Sequence, residues 1–409
     1  MTRAFDHDVV IVGGGPAGAS TALHLVRSQG IRADRIAILD KARFPRDKPC
    51  AGAVSQLGVD TLRALGVTVD VPFVAMRGVR VLFRGAIGET PCAMGIVIRR
   101  TEFDARLVHE ARDHGVVVHE GEGLSGLERI PGGFRVAAGT RTITARLVAA
   151  CDGAGSTTRK LLGLREPERK GHLYVLDTPV RASDDAPSRG LIDFDLTVLD
   201  DGLQGYTWDF PTVIDGVPHV SRGIYHANLV PGGEVKAALA TALARRGIDI
   251  ETVKLRPFST RPFVRGSTLA VEGVVLVGEA AGIDRATGEG IGQAIVMGSM
   301  AARHLARALR TGGVTFEAYD REVRGSTIGR HMLQSAWLAQ RVYGGGRLGS
   351  PARRLLLHST FARDAAMRWY NGSSLPWSTK VRLGLGLVAH SEPLLSRPFS
   401  SSSSETSSV

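Results

Sequence analysis

The sequence predicts an α/β protein: a Rossmann-like domain with an inserted α+β domain built on an antiparallel sheet, then a helical C-terminal region. Three observations support this prediction. An apolar, β-branched run at residues 9–12 ends in a glycine-rich turn that opens into a helix, as in a parallel βαβ unit. From about residue 165 to 262 the chain changes to separate strands with proline and glycine turns. Beyond Phe316 it has a helical pattern to about Val388.

The first turn occupies residues 13–18 and has the residues that a dinucleotide site needs. Gly13 allows a sharp turn after the strand, Gly15 allows backbone amides to approach a pyrophosphate, and Gly18 allows close packing of helix on strand. The following helix presents free N–H groups and a positive dipole end to phosphate. The next apolar strand ends on Asp40, about 20 positions later, where an acid binds a ribose diol. The alternative is a coincidental turn with an ordinary surface acid.

Three further glycine turns follow strands or open a helix, at residues 151–156, 277–282 and 287–294. The first two place Asp152 and Glu279 at strand ends, and the third offers amide donors at a helix N-terminus. Any one of them is more often a plain turn. Their occurrence in this order predicts FAD rather than an unspecified dinucleotide.

With these motifs the sequence resembles, over about residues 6–320, the FAD-dependent oxidoreductases of the aromatic-hydroxylase type, and among them the geranylgeranyl reductase branch. Features typical of the branch are Lys48-Pro49-Cys50 and Tyr206-x-Trp208-x-Phe210-Pro211. The family's arginine before a Phe-Asp pair corresponds to Arg100. The residues that the resemblance assigns to the cofactor are Gly13, Gly15, Ala17, Gly18, Asp40, Lys41, Cys50, Ala51, Arg100, Asp152, Gly278, Glu279, Gly288, Gly290 and Ile291.

The chain departs from the family pattern at two positions. Glu279 stands where the family has aspartate, and its extra methylene requires a different position for the contact with the cofactor. Arg285 stands where a proline is expected, three residues before Gly288. A cation there could select an anionic group of the substrate, or it could be a surface replacement.

The resemblance implies that Tyr206, Trp208 and Phe210 line an isoprenoid pocket. Their alternation places all three on one face of a strand, which suits a hydrophobic core equally well. Cys50 and Tyr206 are the candidate proton donors. A buried cysteine is, however, usually a small apolar filler.

The pattern of the chain predicts a discontinuous FAD-binding domain at residues 1–75, 95–164 and 265–320. The substrate domain is expected at 76–94 and 165–264, a helical region at 321–395, and a disordered serine-rich tail at 396–409.

The composition is that of a globular protein, with 43% apolar and 22% charged residues. No stretch has the roughly 18–20 apolar residues of a membrane span. Residues 1–6 lead directly into the first strand, so we expect no signal peptide and a cytoplasmic protein. The three cysteines are too few and too scattered for a disulfide framework or a zinc site, and no metal is expected.

The net charge of +11 is concentrated at the end of the chain. This basic region is expected to contact a membrane surface, an acidic partner or a substrate phosphate, or to form a plain solvated surface. Nucleic acid is not expected as a partner, because no recognition-helix or interleaved aromatic pattern accompanies the charge. The sequence leaves the oligomeric state open.

These features predict an FAD-dependent reductase of carbon–carbon double bonds in an apolar isoprenoid or polyene substrate. The alternative is a flavin-dependent monooxygenase, a hydroxylase rather than a halogenase, since the halogenase stretch Trp-x-Trp-x-Ile-Pro is absent. A non-catalytic flavin-binding protein is a third interpretation. No second GxGxxG unit is present, so NAD(P)H or another external electron donor would dock transiently.

Overall fold

The computed structural model describes residues 5–167, 169–284, 286–343 and 349–391. Arg285 and the predicted tail at 396–409 lie outside the described residues. Strands and helices are numbered in chain order.

The first sheet has the order β15-β16-β9-β1-β2-β6, and the hairpin β7-β8 pairs with β9. Its strands are β1 (His7–Val12), β2 (Ile36–Asp40), β6 (Val117–Glu120), β7 (Leu124–Ile130), β8 (Gly133–Ala138), β9 (Arg141–Ala150), β15 (Ala270–Val271) and β16 (Val274–Leu276). The central strands are parallel, and Val9, Val10 and Ile11 are fully buried. Both faces of such a sheet are covered, which explains the unbroken apolar run in β1.

The second sheet has the order β14-β10-β13-β12-β11-β4-β5-β3. Its strands are β3 (Ala53–Ser55), β4 (Phe73–Phe83), β5 (Ala86–Ile98), β10 (Gly171–Pro179), β11 (Leu191–Asp195), β12 (Gly205–Ile214), β13 (Val217–His226) and β14 (Arg256–Thr260).

This sheet differs from the sequence-based expectation in two respects. The β4–β11 pair is parallel, whereas the other pairs are antiparallel, because the chain crosses the first domain between these two strands. Strands β4 and β5 also extend beyond the expected limits of 76–94, and residues 53–55, expected in the FAD-binding domain, pair with β5.

The helices cover both sheets and form the C-terminal region. They are α1 (Pro16–Arg27), α2 (Gln56–Ala64), α3 (Arg100–Asp113), α4 (Thr157–Leu161), α5 (Asp185–Ser188), α6 (Val235–Ala244), α7 (Ile291–Thr311), α8 (Glu317–Gly325), α9 (Thr327–Val342), α10 (Gly349–His358), α11 (Thr360–Tyr370) and α12 (Trp377–Ala389). Among the described residues, no helix is long and apolar enough to cross a bilayer.

An ion cluster lies on the face of the second sheet opposite the aromatic side chains of β12. Arg222 is 1% exposed, and its guanidinium lies 2.5 Å from Asp184 and 2.6 Å from Asp209. It also donates to the Thr178 hydroxyl at 3.0 Å. Asp209 sits between Trp208 and Phe210 in the strand and therefore points to the other side. The oxygen atoms of the cluster take the place of the water that the Arg222 guanidinium loses on burial. Burying a cation without such partners is very unfavourable.

We expect Arg222→Met to lower the free energy of unfolding by about 3–5 kcal/mol, because the Asp184 carboxylate loses its cation and Asp209 keeps only its ion pair with Arg246, at 2.7 Å. The matched control is Arg135→Met, since the Arg135–Glu128 pair is 49% and 63% exposed. The control should cost at most about 1 kcal/mol. Denaturant titrations of the FAD-loaded proteins measure both, and equal losses in the two variants would contradict the assignment.

Candidate active site

A cavity of about 650 Å³ lies between the two sheets. Its walls combine the glycine turns at the ends of β1 and β9 and the segment after β2 with aromatic side chains of the second sheet. Most of the predicted site residues lie in this wall: Gly13, Gly15, Ala17, Asp40, Lys41, Cys50, Ala51, Arg100, Asp152, Tyr206, Trp208, Phe210, Glu279, Gly288, Gly290 and Ile291. Gly18 and Gly278 lie outside it.

Three of the four glycines in the first turn, Gly13, Gly15 and Gly18, have different surroundings. A Cβ at Gly13, where φ is +101°, would lie 2.4 Å from the Cys151 carbonyl oxygen, and one at Gly18 would lie 1.9 Å from the Gly13 carbonyl oxygen. Both positions exclude a side chain because of protein backbone. A Cβ at Gly15 would meet only the ends of the Arg46 and Arg100 guanidinium groups, at 3.4 and 3.7 Å. The space beside Gly15 is therefore open to a ligand, at the N-terminus of α1.

Two guanidinium groups are held beside this open space by one carboxylate. Arg100 donates to both oxygens of Asp104, at 2.7 and 2.6 Å, and Arg46 lies 3.1 Å from the same carboxylate. Asp104 is fully buried. Two cations share one anion here, so a net positive charge faces the N-terminus of α1. This arrangement attracts phosphate.

Asp40 is oriented by backbone amides at the end of β2. Its carboxylate accepts hydrogen bonds from Gly14 N–H at 2.7 Å and from Ala42 N–H at 2.8 Å. Each carboxylate oxygen can accept a further bond, so the group can still bind a ribose diol.

Asp152 and Gly278 have evident structural roles. Asp152 accepts from the Ser156 hydroxyl at 2.6 Å and from Thr158 N–H at 2.8 Å, so it fixes the start of α4. A Cβ at Gly278 would lie 3.0 Å from Cβ of Ala17 and 3.1 Å from Cβ of Ala294. Gly278 thus allows α7 to approach α1 closely.

Lys48 and Glu279 both line the cavity, and the charge of each affects the pKa of the other. Burial lowers the pKa of Lys48 to about 8, and nearby Glu279 opposes this shift. Burial raises the pKa of Glu279, opposed by Lys48 and Arg100. The Lys48 ammonium also lies 3.3 Å from the centroid of the Phe258 ring. Lys48 thus brings a third cation into the cavity, next to an aromatic face.

The far side of the cavity is an aromatic chamber on the second sheet. Tyr206, Trp208 and Phe210 of β12 line it and are at most 5% exposed. The ring centroid of Phe194 lies 4.9 Å from that of Tyr206 and 5.5 Å from that of Phe210. The remaining aromatic residues of the wall are Tyr225, Phe258 and Tyr370. The core and pocket interpretations of the β12 aromatics therefore describe the same surface.

Three side chains that can carry a proton line the cavity at this end: Tyr206, Cys50 and Glu289. The Tyr206 hydroxyl donates to the Thr287 carbonyl, and burial raises its pKa well above the ordinary value. Cys50 is half-buried, and its sulfur accepts from Gly52 N–H at 3.4 Å. Glu289, in the turn before α7, is 8% exposed, and burial raises its pKa to about 7. Glu289 therefore lies in the cavity wall as a carboxyl group that exchanges its proton near neutral pH.

Behind Glu289, the buried Asp284 and His331 form an ion pair at 2.9 Å. His331 favours and Asp284 disfavours the charged form of Glu289. One carboxylate oxygen of Glu289 accepts from Gly292 N–H at 3.2 Å, which fixes the side chain at the start of α7.

The sequence did not identify Arg46, Glu289 or the aromatic residues outside β12 as site residues. Arg46 shares its loop with other cations, and one of these, Arg43, lies instead beside Gly121. Glu289 lies within a recognised glycine motif, yet only burial distinguishes its acidity. Arg285 lies outside the described residues, so its predicted role stays a prediction.

Comparisons with known proteins identify an FAD binding domain in the chain. The model of the FAD binding domain family matches residues 6–188. Digeranylgeranylglycerophospholipid reductase 1 of Methanothermobacter thermautotrophicus is 26% identical over 353 residues, which cover 81% of this chain and 86% of that protein. The chain is an FAD-dependent oxidoreductase. Its similarity to geranylgeranyl reductase-like proteins confirms the predicted resemblance.

Two solved structures share the fold of this flavoprotein. A geranylgeranyl bacteriochlorophyll reductase-like protein from Thermoplasma acidophilum superposes with a TM-score of 0.69 at 20% identity, covering 95% of this chain and 97% of that one. The p-nitrophenol 4-monooxygenase of Pseudomonas putida has a TM-score of 0.69 at 17% identity, covering 90% and 99%. At these identities the likeness concerns the fold, and the predicted fold class is confirmed.

The cavity suits FAD. The open space at Gly15, with Arg46 and Arg100 beside it, matches a pyrophosphate, and Asp40 lies where an adenosine ribose is expected. The wall continues from there through Asp152 and Glu279 into the aromatic chamber, which leaves room for a flavin ring next to a substrate.

We expect Gly15→Val to abolish FAD binding by the flavoprotein, because the branched side chain enters the phosphate space while touching only two flexible side chains. Gly266→Val is the control, since a Cβ at Gly266 would have no neighbouring heavy atom within 4 Å. Visible flavin absorbance per protein and the apoprotein melting temperature are measured for both. Full FAD content in a folded Gly15→Val variant would refute the placement.

Proposed function

We propose that the flavoprotein reduces carbon–carbon double bonds in an apolar isoprenoid or polyene substrate. The observation that supports this most strongly is the aromatic chamber. It belongs to the same cavity as Gly15, Arg46 and Arg100, which surround the space suited to the FAD pyrophosphate. A wall of large, buried aromatic side chains gives an apolar chain extensive contact and excludes water from the reacting bond. The similarity to digeranylgeranylglycerophospholipid reductase agrees with an isoprenoid substrate.

Reduced FAD supplies a hydride equivalent, and saturation of one double bond also consumes one proton. An isolated double bond resists hydride addition, so a protein acid must protonate the other carbon in the same step. Cys50, Tyr206 and Glu289 all line the cavity. Tyr206 is the weakest of these candidates, because its proton is engaged with the Thr287 carbonyl and burial raises its pKa. Glu289 has a suitable acidity, with a pKa of about 7.

The sequence has no second GxGxxG unit for a nicotinamide dinucleotide, so the reducing equivalents come from a transiently docked donor. NAD(P)H is one such donor, and another external reductant is the alternative. Steady-state reduction with each donor in turn identifies it.

The proposed reaction is tested anaerobically. Enzyme reduced with dithionite and mixed with a geranylgeranyl lipid should reoxidise its flavin and give a product heavier by two hydrogens per reduced bond, measured by mass spectrometry. The Gly15→Val variant serves as the cofactor-free control. Turnover that instead requires oxygen and inserts one oxygen atom would identify a monooxygenase, in line with the shared fold of p-nitrophenol 4-monooxygenase. Bound FAD that no acceptor reoxidises would identify a non-catalytic protein.

We expect the rate of flavin reoxidation by the substrate to fall as pH rises through about 7, because Glu289 then loses the proton that it donates. Glu289→Gln keeps an acceptor for Gly292 N–H but has no acidic proton, so its rate should be about a hundredfold lower and should lack this pH dependence. Glu272→Gln, at a side chain 66% exposed, is the control. A Glu289→Gln variant that retains both rate and pH profile would assign the proton to Cys50, to be tested with Cys50→Ala.

A further inference from the structure

The last described helix, α12, carries an apolar stripe on its outer face. Trp377, Val381, Leu385 and Val388 are 78%, 43%, 66% and 72% exposed. Their spacing of four, four and three residues places them on one side of the helix. Single exposed apolar residues are ordinary, whereas four of them in one stripe indicate a surface that meets an apolar phase.

The opposite side of α12 is fixed to the protein. Gly386 faces Leu355 of α10, where a Cβ would lie 2.9 Å from a Leu355 methyl group. At the border between this side and the stripe, the exposed Arg382 stacks on the Phe361 ring of α11 at 3.9 Å from its centroid. These contacts orient the helix, so the stripe points outward as a consequence of packing.

Cations border the stripe. Lys380 and Arg382 lie on its two sides, in the positions next to Val381. In residues 349–391 the sequence has six lysine or arginine residues and one acidic residue, Asp364. A face of tryptophan and aliphatic residues bordered by lysine and arginine is the pattern of a helix that lies in a lipid interface.

We propose that the α12 stripe docks the protein on an anionic phospholipid surface, with Trp377, Val381, Leu385 and Val388 among the acyl chains and Lys380 and Arg382 at the phosphates. A second copy of the chain is the poorer occupant of this face, because self-association would bring the bordering cations of two copies together. An anionic headgroup layer complements those cations.

The stripe is also close in sequence to the cavity. Tyr370, the last residue of α11, lies in the cavity wall, and six residues connect it to Trp377. Along this connection Asn371 accepts from Gln56 N–H at 3.4 Å, and a Cβ at Gly372 would lie 2.7 Å from Leu57. The connection is thus attached to α2. If the proposed function is correct, docking here brings an apolar substrate to the enzyme, but the lipid contact itself does not depend on that function.

The test is co-sedimentation of the FAD-loaded full chain with vesicles of phosphatidylcholine plus phosphatidylglycerol, and with vesicles of phosphatidylcholine alone. We expect the wild type to bind the anionic vesicles. Trp377→Ser/Leu385→Ser should weaken this binding at least tenfold, and Lys380→Glu should weaken it for anionic vesicles. Brominated lipids should quench the fluorescence of Trp377 in the wild type, and Trp377→Phe should remove that part of the quenching.

The control is Ile87→Ser/Val217→Ser, which removes two exposed apolar side chains outside α12, 55% and 53% exposed. It should bind vesicles as the wild type does. FAD content and melting temperature establish that each variant is folded. The proposal is overturned if the wild type remains in the supernatant with both vesicles. It is also overturned if the α12 variant binds like the control, or if α12 substitution converts a dimer to a monomer without changing vesicle binding.

Discussion

The close approach of α1 to the turn after β1 is the constraint on which the site depends. A Cβ at Gly18 would overlap the Gly13 carbonyl oxygen, and a Cβ at Gly13 would overlap the Cys151 carbonyl oxygen. With both positions closed to side chains, the helix N-terminus lies directly at the ends of β1 and β9. Its free N–H groups then point to the same space as the guanidinium groups held by Asp104. A small shift of this helix would separate the backbone donors from the cations.

The second sheet adds the aromatic chamber to this phosphate-binding space. The aromatic side chains of β12 belong to the hydrophobic core of that sheet and also form the cavity wall. A pocket wall made of core residues is rigid, because its rotamers are set by neighbours such as Phe194. The opposite side of β12 is secured by Arg222 and its two carboxylates, so the strand is held from both faces.

Burial also gives the chamber its acid–base character. A glutamate at the surface is ionised at neutral pH, whereas Glu289, held among buried groups at the start of α7, has a pKa of about 7. Lys48 shifts in the opposite direction for the same reason, since burial disfavours its charged form. The cavity thus contains a carboxyl group that can keep its proton and an ammonium group that can lose one.

The sequence alone determined the parts of this protein that depend on local chemistry. Glycines where backbones nearly touch, an acid at the end of the second strand, and alternating aromatics at 206–210 all carry their signal within a few residues, which is why the FAD-binding fold was predictable. The tertiary structure decided which residues of different segments meet. It selected Arg46 over Arg43 for the phosphate space, paired β4 with β11 across about a hundred residues, and buried Glu289 beside Asp284 and His331. Such pairings and acidities arise from the exclusion of water between distant segments, and no local pattern encodes that exclusion.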